Sequence, residues 1–187
     1  MTGLKSGIAF QTIDELELCV CVFFNGISRW KAFERLFAMI SRLGNGIFWY
    51  ALMVFMIILD RHLGLRASVH MGIAALIGVL IYEILKNNMV RQRPYISWKE
   101  IKQGTAPLDL YSFPSGHTLQ ASLFTIIAVF YYPALALILI PFTILIALSR
   151  IILGLHYPSD VFVGALIGMS LAYLSLRIST HIPFLIP

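Results

Sequence analysis

Apolar residues in this chain come in long runs broken by short polar junctions, not in the spaced stripes of soluble helices. Leu43–Leu59, Ala67–Leu85, Gly116–Tyr132, Ala134–Leu155 and Pro158–Leu176 are each 17–22 residues long and almost free of charge. That is the length at which an α-helix crosses roughly 30 Å of hydrocarbon. Asp60 and Arg61 close the first run, Lys86 the second and Arg177 the fifth, while Pro133 marks a hairpin between the third and fourth. Pro141 lies inside the fourth, where a membrane helix tolerates a kink. Gly164 and Gly168 form a small-xxx-small pair in the fifth and predict a close helix contact. Upstream, Leu16–Ile27 is apolar but short. Trp30–Arg42 is amphipathic, with Phe33, Leu36, Phe37 and Ile40 opposite Lys31, Glu34 and Arg35. These predict a partial first span followed by an interfacial helix.

The fold class expected is therefore all-α, a polytopic membrane bundle of about six helices in one domain over residues 1–187. Within it, residues 1–42 hold the partial span and interfacial helix, and residues 43–178 the catalytic core.

Composition agrees. Hydrophobic residues are 59% of the chain, charged residues 12%, and mean hydropathy is +0.84, against about 45–50% and about 25% for soluble domains. Net charge is +5, yet no basic run is interleaved with aromatics, so nucleic acid is not expected as a partner. The cations sit at the ends of apolar runs, where anionic headgroups or a phosphorylated lipid would meet them. Cys19 and Cys21 match no metal or redox spacing and read as small core residues. No small-residue cleavage site follows an apolar stretch near the start, so a removed signal peptide is not expected.

Three polar elements fall on one face when the runs alternate across a membrane. Lys86 and Arg93-Pro94 are two helical turns apart if the helix continues past Lys86, with Pro94 ending it; alone, they read equally as cations snorkelling to headgroups. Pro114-Ser115-Gly116-His117 leads straight into an apolar run. Ser115 suits an N-cap, Gly116 permits close approach, and a helix start is an anion site; alone, it reads equally as an ordinary cap. Ser149-Arg150 is followed after five residues by His156, with Asp160 four further on. A charge at bilayer depth costs at least about 2.5–3.5 kcal/mol, so Arg150 has a function or a partner. Asp160 stands within reach of the His156 ring, where it would fix the tautomer. His62, His70 and His181 are expected to be structural.

Together the elements K-x6-RP, PSGH and SR-x5-H-x3-D resemble the type 2 phosphatidic acid phosphatase family, matched at Lys86, Arg93, Pro94, Pro114, Ser115, Gly116, His117, Ser149, Arg150, His156 and Asp160. The resemblance implies that Lys86, Arg93, Ser115, Gly116 and Arg150 bind phosphate. It makes His156 the nucleophile, forming a phosphohistidine, His117 the general acid and Asp160 the group that orients His156. A neutral His156 beside a protonated His117 gives a bell-shaped pH profile. The acids expected on this face, Glu100, Asp109 and Asp160, have no Mg²⁺ spacing, so no metal and no cofactor are expected.

The partner is a phosphorylated membrane lipid. Undecaprenyl diphosphate is the first choice by family, with phosphatidylglycerol phosphate, phosphatidic acid and lipid A phosphates as alternatives. Arg91, Lys99 and Lys102 are read as extra cations favouring a multiply charged headgroup. A lipid-to-lipid phosphotransferase and a non-enzymatic lipid carrier are the competing classes. Arg29, Lys31, Arg35, Arg42, Lys86, Arg91, Arg93, Lys99, Lys102 and Arg150 fall on the active face and Lys5, Arg61, Arg66 and Arg177 on the other. Charge alone thus points inward. The resemblance instead implies a bacterial inner-membrane protein with its active site facing the periplasm or exterior.

Overall fold

A computed structural model describes residues 3–107 and 109–182, with side chains described from Ile13 onward. Among them all regular structure is helical: α1 Gly3–Asn25, α2 Lys31–Leu43, α3 Ile47–Leu59, α4 Arg61–Asn88, α5 Pro94–Ser97, α6 Gly116–Tyr131, α7 Ala136–Ile152 and α8 Pro158–Ser179. Single 3₁₀ turns link α1 to α2 and, at Pro133–Leu135, α6 to α7.

Among the described residues three helices are individually long and apolar enough to cross a membrane: α4, the continuous Pro133–Ile152 segment and α8. The run expected as a span over Leu43–Leu59 is instead one arm of a bent helix pair, a broken span or a re-entrant loop. Thirteen-residue α3 is only about 20 Å long at 1.5 Å per residue. It reaches span length only together with α2, from which it is bent by 54°. Gly46 makes that break, because its φ of 113° lies where only glycine is at ease. Helix α6, at 16 residues, is apolar but also short.

Helix α6 lies at the centre, packed on α8, α4 and α7. Trp49, Met56, Met71, Phe124, Ile127 and Ile146 fill the core around it. Large apolar side chains also face outward, Leu137, Ile58 and Leu76 among them, as a helix in hydrocarbon allows because only its backbone must be satisfied internally. The Gly164/Gly168 pair packs as expected. A Cβ at Gly164 would stand 2.5 Å from the Ser115 carbonyl oxygen, and one at Gly168 would strike Ser122 and the Leu119 carbonyl. Helix α8 therefore lies directly on the start of α6. Helix α2 is amphipathic as expected, but it packs on α7 and buries Ile40 and Ser41. The cysteines divide: Cys21 is core, Cys19 is exposed.

Candidate active site

The loop between α4 and α6 and the turn between α7 and α8 converge at one end of the bundle. Their meeting is made locally. Helix α7 ends in a reversal in which the Arg150 carbonyl accepts from the amides of Leu155 (3.0 Å) and His156 (3.1 Å). Gly154, at φ +71°, is required there: a Cβ would stand 2.7 Å from the Lys102 carbonyl. The Gly104 amide donates to the Leu153 carbonyl at 3.0 Å, tying the long loop to this turn.

Lys86 and Arg93 do meet, though not along one helix. Helix α4 stops at Asn88, Arg93 is extended (φ −76°, ψ 150°), and Pro94 begins α5 instead of ending α4. The residue before a proline is driven out of the helical region, and proline suits the first position of a helix. Both cations reach a single oxygen, Oδ1 of Asp109, at 2.7 Å each. The Tyr82 hydroxyl donates to the other oxygen at 2.5 Å. Burial alone would raise the Asp109 pKa, but hydrogen bonds from Lys86 and Tyr82 and the charges of Lys86 and Arg93 outweigh it and hold the carboxyl down to about 2.

Arg93, only 1% exposed, also donates to the Leu155 carbonyl at 2.8 Å and stands 3.3 Å from Nε2 of His156. Arg150 is buried, donates to the Ser41 hydroxyl, and its Nε has no partner. Tyr82, Arg93, Asp109, Gly116, His117, Arg150 and His156 line one cavity of about 170 Å³, which continues as an apolar arm along Ala75, Gly78, Val79, Leu119 and Leu123. Asn45 and Gln120 add amides to its wall. Lys86 lines the adjoining depression with Tyr82 and Asp109. Ser115 occupies the N-cap position of α6 but does not cap it: fully buried, its hydroxyl pairs with Thr118 at 2.9 Å.

His156 is 2% exposed. Burial first, then the charges of Arg150, Arg93 and Lys86, push its pKa well below the ordinary 6.5, so the ring is neutral at neutral pH. Its Nδ1 is 3.7 Å from Asp160 Oδ2 and makes no hydrogen bond. Asp160 is committed elsewhere. Its Oδ2 accepts the Tyr157 amide at 2.9 Å and its Oδ1 the Arg91 guanidinium at 2.5 Å.

Arg91 is thus not a surface cation for the headgroup. It is 1% exposed, lies 3.9 Å over the Tyr157 ring, and donates to Asp14, Glu17, Ser159 and Asp160. Glu17 in turn accepts from the Ser159 amide (2.5 Å) and hydroxyl (2.7 Å). Lys102 likewise pairs with Glu34 at 2.7 Å. Asp14, Glu17, Tyr82 and Ser41 join the site without a motif to mark them, and Asp109, expected only as an acid on this face, lines the pocket. Two signals were available: carboxylates three apart on one helix face ahead of an apolar run, and a lone acid between Gly104 and His117.

An undecaprenyl-diphosphatase of Sulfolobus acidocaldarius is 27% identical over 186 residues, covering 98% of this chain and 85% of that one. The crystal structure of Aquifex aeolicus LpxE superposes with a TM-score of 0.71 at 28% identity, covering 83% of this chain and 93% of that one. A crystal structure described as the first transmembrane PAP2-type phosphatidylglycerolphosphate phosphatase, from Bacillus subtilis, gives 0.65 at 26% identity over 93% and 88%. The PAP2 superfamily model matches residues 67–182, from within α4 through α8. Carrying every residue of the pocket except Asn45 inside that match, this integral membrane protein belongs to the PAP2 superfamily of phosphatases.

Proposed function

We propose that the protein dephosphorylates a membrane lipid through a phosphohistidine on His156, without a metal, with undecaprenyl diphosphate as the first substrate to test. The observation that carries this reading is the lining of one cavity by Arg93, His117, Arg150 and His156, from three separate segments, with Lys86 joined to Arg93 through Asp109.

A transferring phosphoryl group spreads its charge over three equatorial oxygens, so positioning and fixed positive charge supply most of the catalysis. Lys86, Arg93 and Arg150 supply that charge, and the start of α6 at Gly116 supplies backbone amides. The Nε2 of neutral His156 forms the N–P bond as the P–O bond to the lipid breaks. His117 gives its proton to the departing oxygen. Water then attacks phosphorus, passes a proton to His117 and breaks the N–P bond, releasing inorganic phosphate. Asp160, already fixed by Arg91 and the Tyr157 amide, stands 3.7 Å from Nδ1 and accepts a hydrogen bond from its N–H as positive charge develops on the ring, the proton staying on the imidazole.

The apolar arm beside the cations suits the first part of a lipid chain, which favours an amphiphilic substrate over a soluble phosphate ester. Phosphatidylglycerol phosphate, phosphatidic acid and lipid A phosphates present the same terminal group and belong in the same panel. The active face is assigned to the exterior side of a bacterial inner membrane, as for the family. Purified protein is expected to release phosphate from at least one of these lipids with EDTA present. No release from any of them, loss of release with EDTA, or transfer to a second lipid in excess of release would contradict the proposal.

A further inference from the structure

The cation cradle already holds an anion, and that anion belongs to the chain. Asp109 brings one carboxylate oxygen to both Lys86 and Arg93 at 2.7 Å, the other is held by Tyr82 at 2.5 Å, and its backbone carbonyl accepts from Arg93 Nε at 3.2 Å. It is the cradle's own occupant, set on loop residues between Gly104 and the start of α6. It does not reach everything. Arg150, which lines the same cavity, bonds Ser41 and not Asp109, and its buried Nε is without a partner.

We propose that Asp109 is a specificity-determining residue that excludes phosphodiester headgroups from the site and yields only to a terminal phosphate. The inference rests on the cradle being the phosphate site described above. A membrane enzyme meets its substrate among a large excess of phospholipids whose phosphates are diesters, each with one negative charge and two non-bridging oxygens. An open set of three cations would bind them. A tethered carboxylate has the same charge and the same number of oxygens, and tethering makes it a competitor at high effective concentration. A diester therefore gains nothing by displacing it. A terminal phosphomonoester or diphosphate carries more charge and three non-bridging oxygens. It can take Lys86 and Arg93 from Asp109 and use its third oxygen on Arg150, which the carboxylate leaves unsatisfied. Specificity here comes from an element that competes with the wrong ligand, not only from contacts to the right one.

The test uses the full chain in mixed detergent micelles, with a phosphomonoester lipid as substrate and dioleoylphosphatidylglycerol, a diester, as the added competitor. Wild-type turnover is expected to be insensitive to the diester beyond surface dilution. Asp109→Asn is expected to be inhibited at a mole fraction at least ten-fold lower, and to bind inorganic phosphate at least ten-fold more tightly as product inhibitor. Tyr82→Phe frees one side of the carboxylate without removing its charge; it is expected to shift both readings the same way by a smaller factor, and it decides the matter if the Asn variant does not fold. Diester insensitivity in both variants, or weaker phosphate inhibition, would overturn the proposal and make Asp109 a holder of Lys86 and Arg93. Absence of phosphate release by the wild-type protein on every lipid would instead overturn the function itself.

Discussion

Arg91 and Asp160 form a buried ion pair, NH1 to Oδ1 at 2.5 Å, with the two side chains 1% and 0% exposed. That pair carries α1 into the active site, because the same guanidinium holds Asp14 at 2.6 Å and Glu17 at 2.7 Å. One cation thus neutralises carboxylates from two helices and sets the residue that faces His156.

Replacing Arg91 by Met leaves three carboxylates together without their cation. Breaking a buried pair by removing one partner costs about 3–5 kcal/mol, so a large drop in melting temperature in detergent is expected, with kcat falling alongside. Lysine should restore little, since it lacks the planar five-donor fork that Arg91 uses in full. A melting temperature within a few degrees of wild type for Arg91→Met would contradict this.

Activity should persist well into acid. Kinetic kcat/KM reports the free enzyme, in which burial and three nearby cations depress His156 well below 6.5. As the proposed nucleophile, His156 reacts in its neutral form, so the acid limb is expected well below pH 6.5. Stability has a separate acid limit. The Asp109 pKa is lowered to about 2 from 3.8, so its contribution is present above about 3.8 and is lost as pH falls towards 2. A pH–rate profile with its acid limb centred at or above 6.5 would contradict the assigned environment of His156.

Arg150→Ala removes the one cradle cation that Asp109 does not touch. Loss of a single preorganised donor to a transition-state oxyanion costs about 10²–10³ in kcat, and that range is expected here. The variant should fold, because Ser41 loses only a hydroxyl contact that water can replace. Steady-state kinetics beside a melting curve separates the two effects.

Gly164→Val tests the α6–α8 contact. A Cβ there already meets the Ser115 carbonyl at 2.5 Å, and the Ser115 amide is tied to the same helix by its bond to the Asp160 carbonyl at 3.0 Å, so added bulk strains that bond. Overpacking typically costs about 1–3 kcal/mol. The larger effect expected is on turnover, because pushing α8 away moves Asp160, the proposed orienting residue, relative to the start of α6. Unchanged kcat would show that the two helix starts are not held together for catalysis.

How much of this the chain announces depends on the range of the interaction. Residues whose placement is local were legible: Ser149-Arg150 through Asp160 lie in one turn and two helix ends, so their spacing set them at one end of the bundle. Gly164 and Gly168 were legible for the same reason. Arg91 was not, because an arginine two residues before Arg93 reads as part of the same basic run. Its burial is decided by Asp14 and Glu17, more than seventy positions away. Asp109 was seen as an acid on the right face, but which cations it meets depends on where a long loop folds back. The bend between α2 and α3 was obscured because hydropathy records length of apolar sequence and not the φ of Gly46.

The central claim is that His156 carries the phosphoryl group. Wild-type protein mixed with a lipid labelled in its terminal phosphate, quenched within a turnover and digested, should yield one labelled peptide, with an acid-labile, alkali-stable phosphate on His156. Label on His117 or on a serine, or turnover without any trapped phosphoprotein together with near-normal rates in His156→Ala, would contradict it.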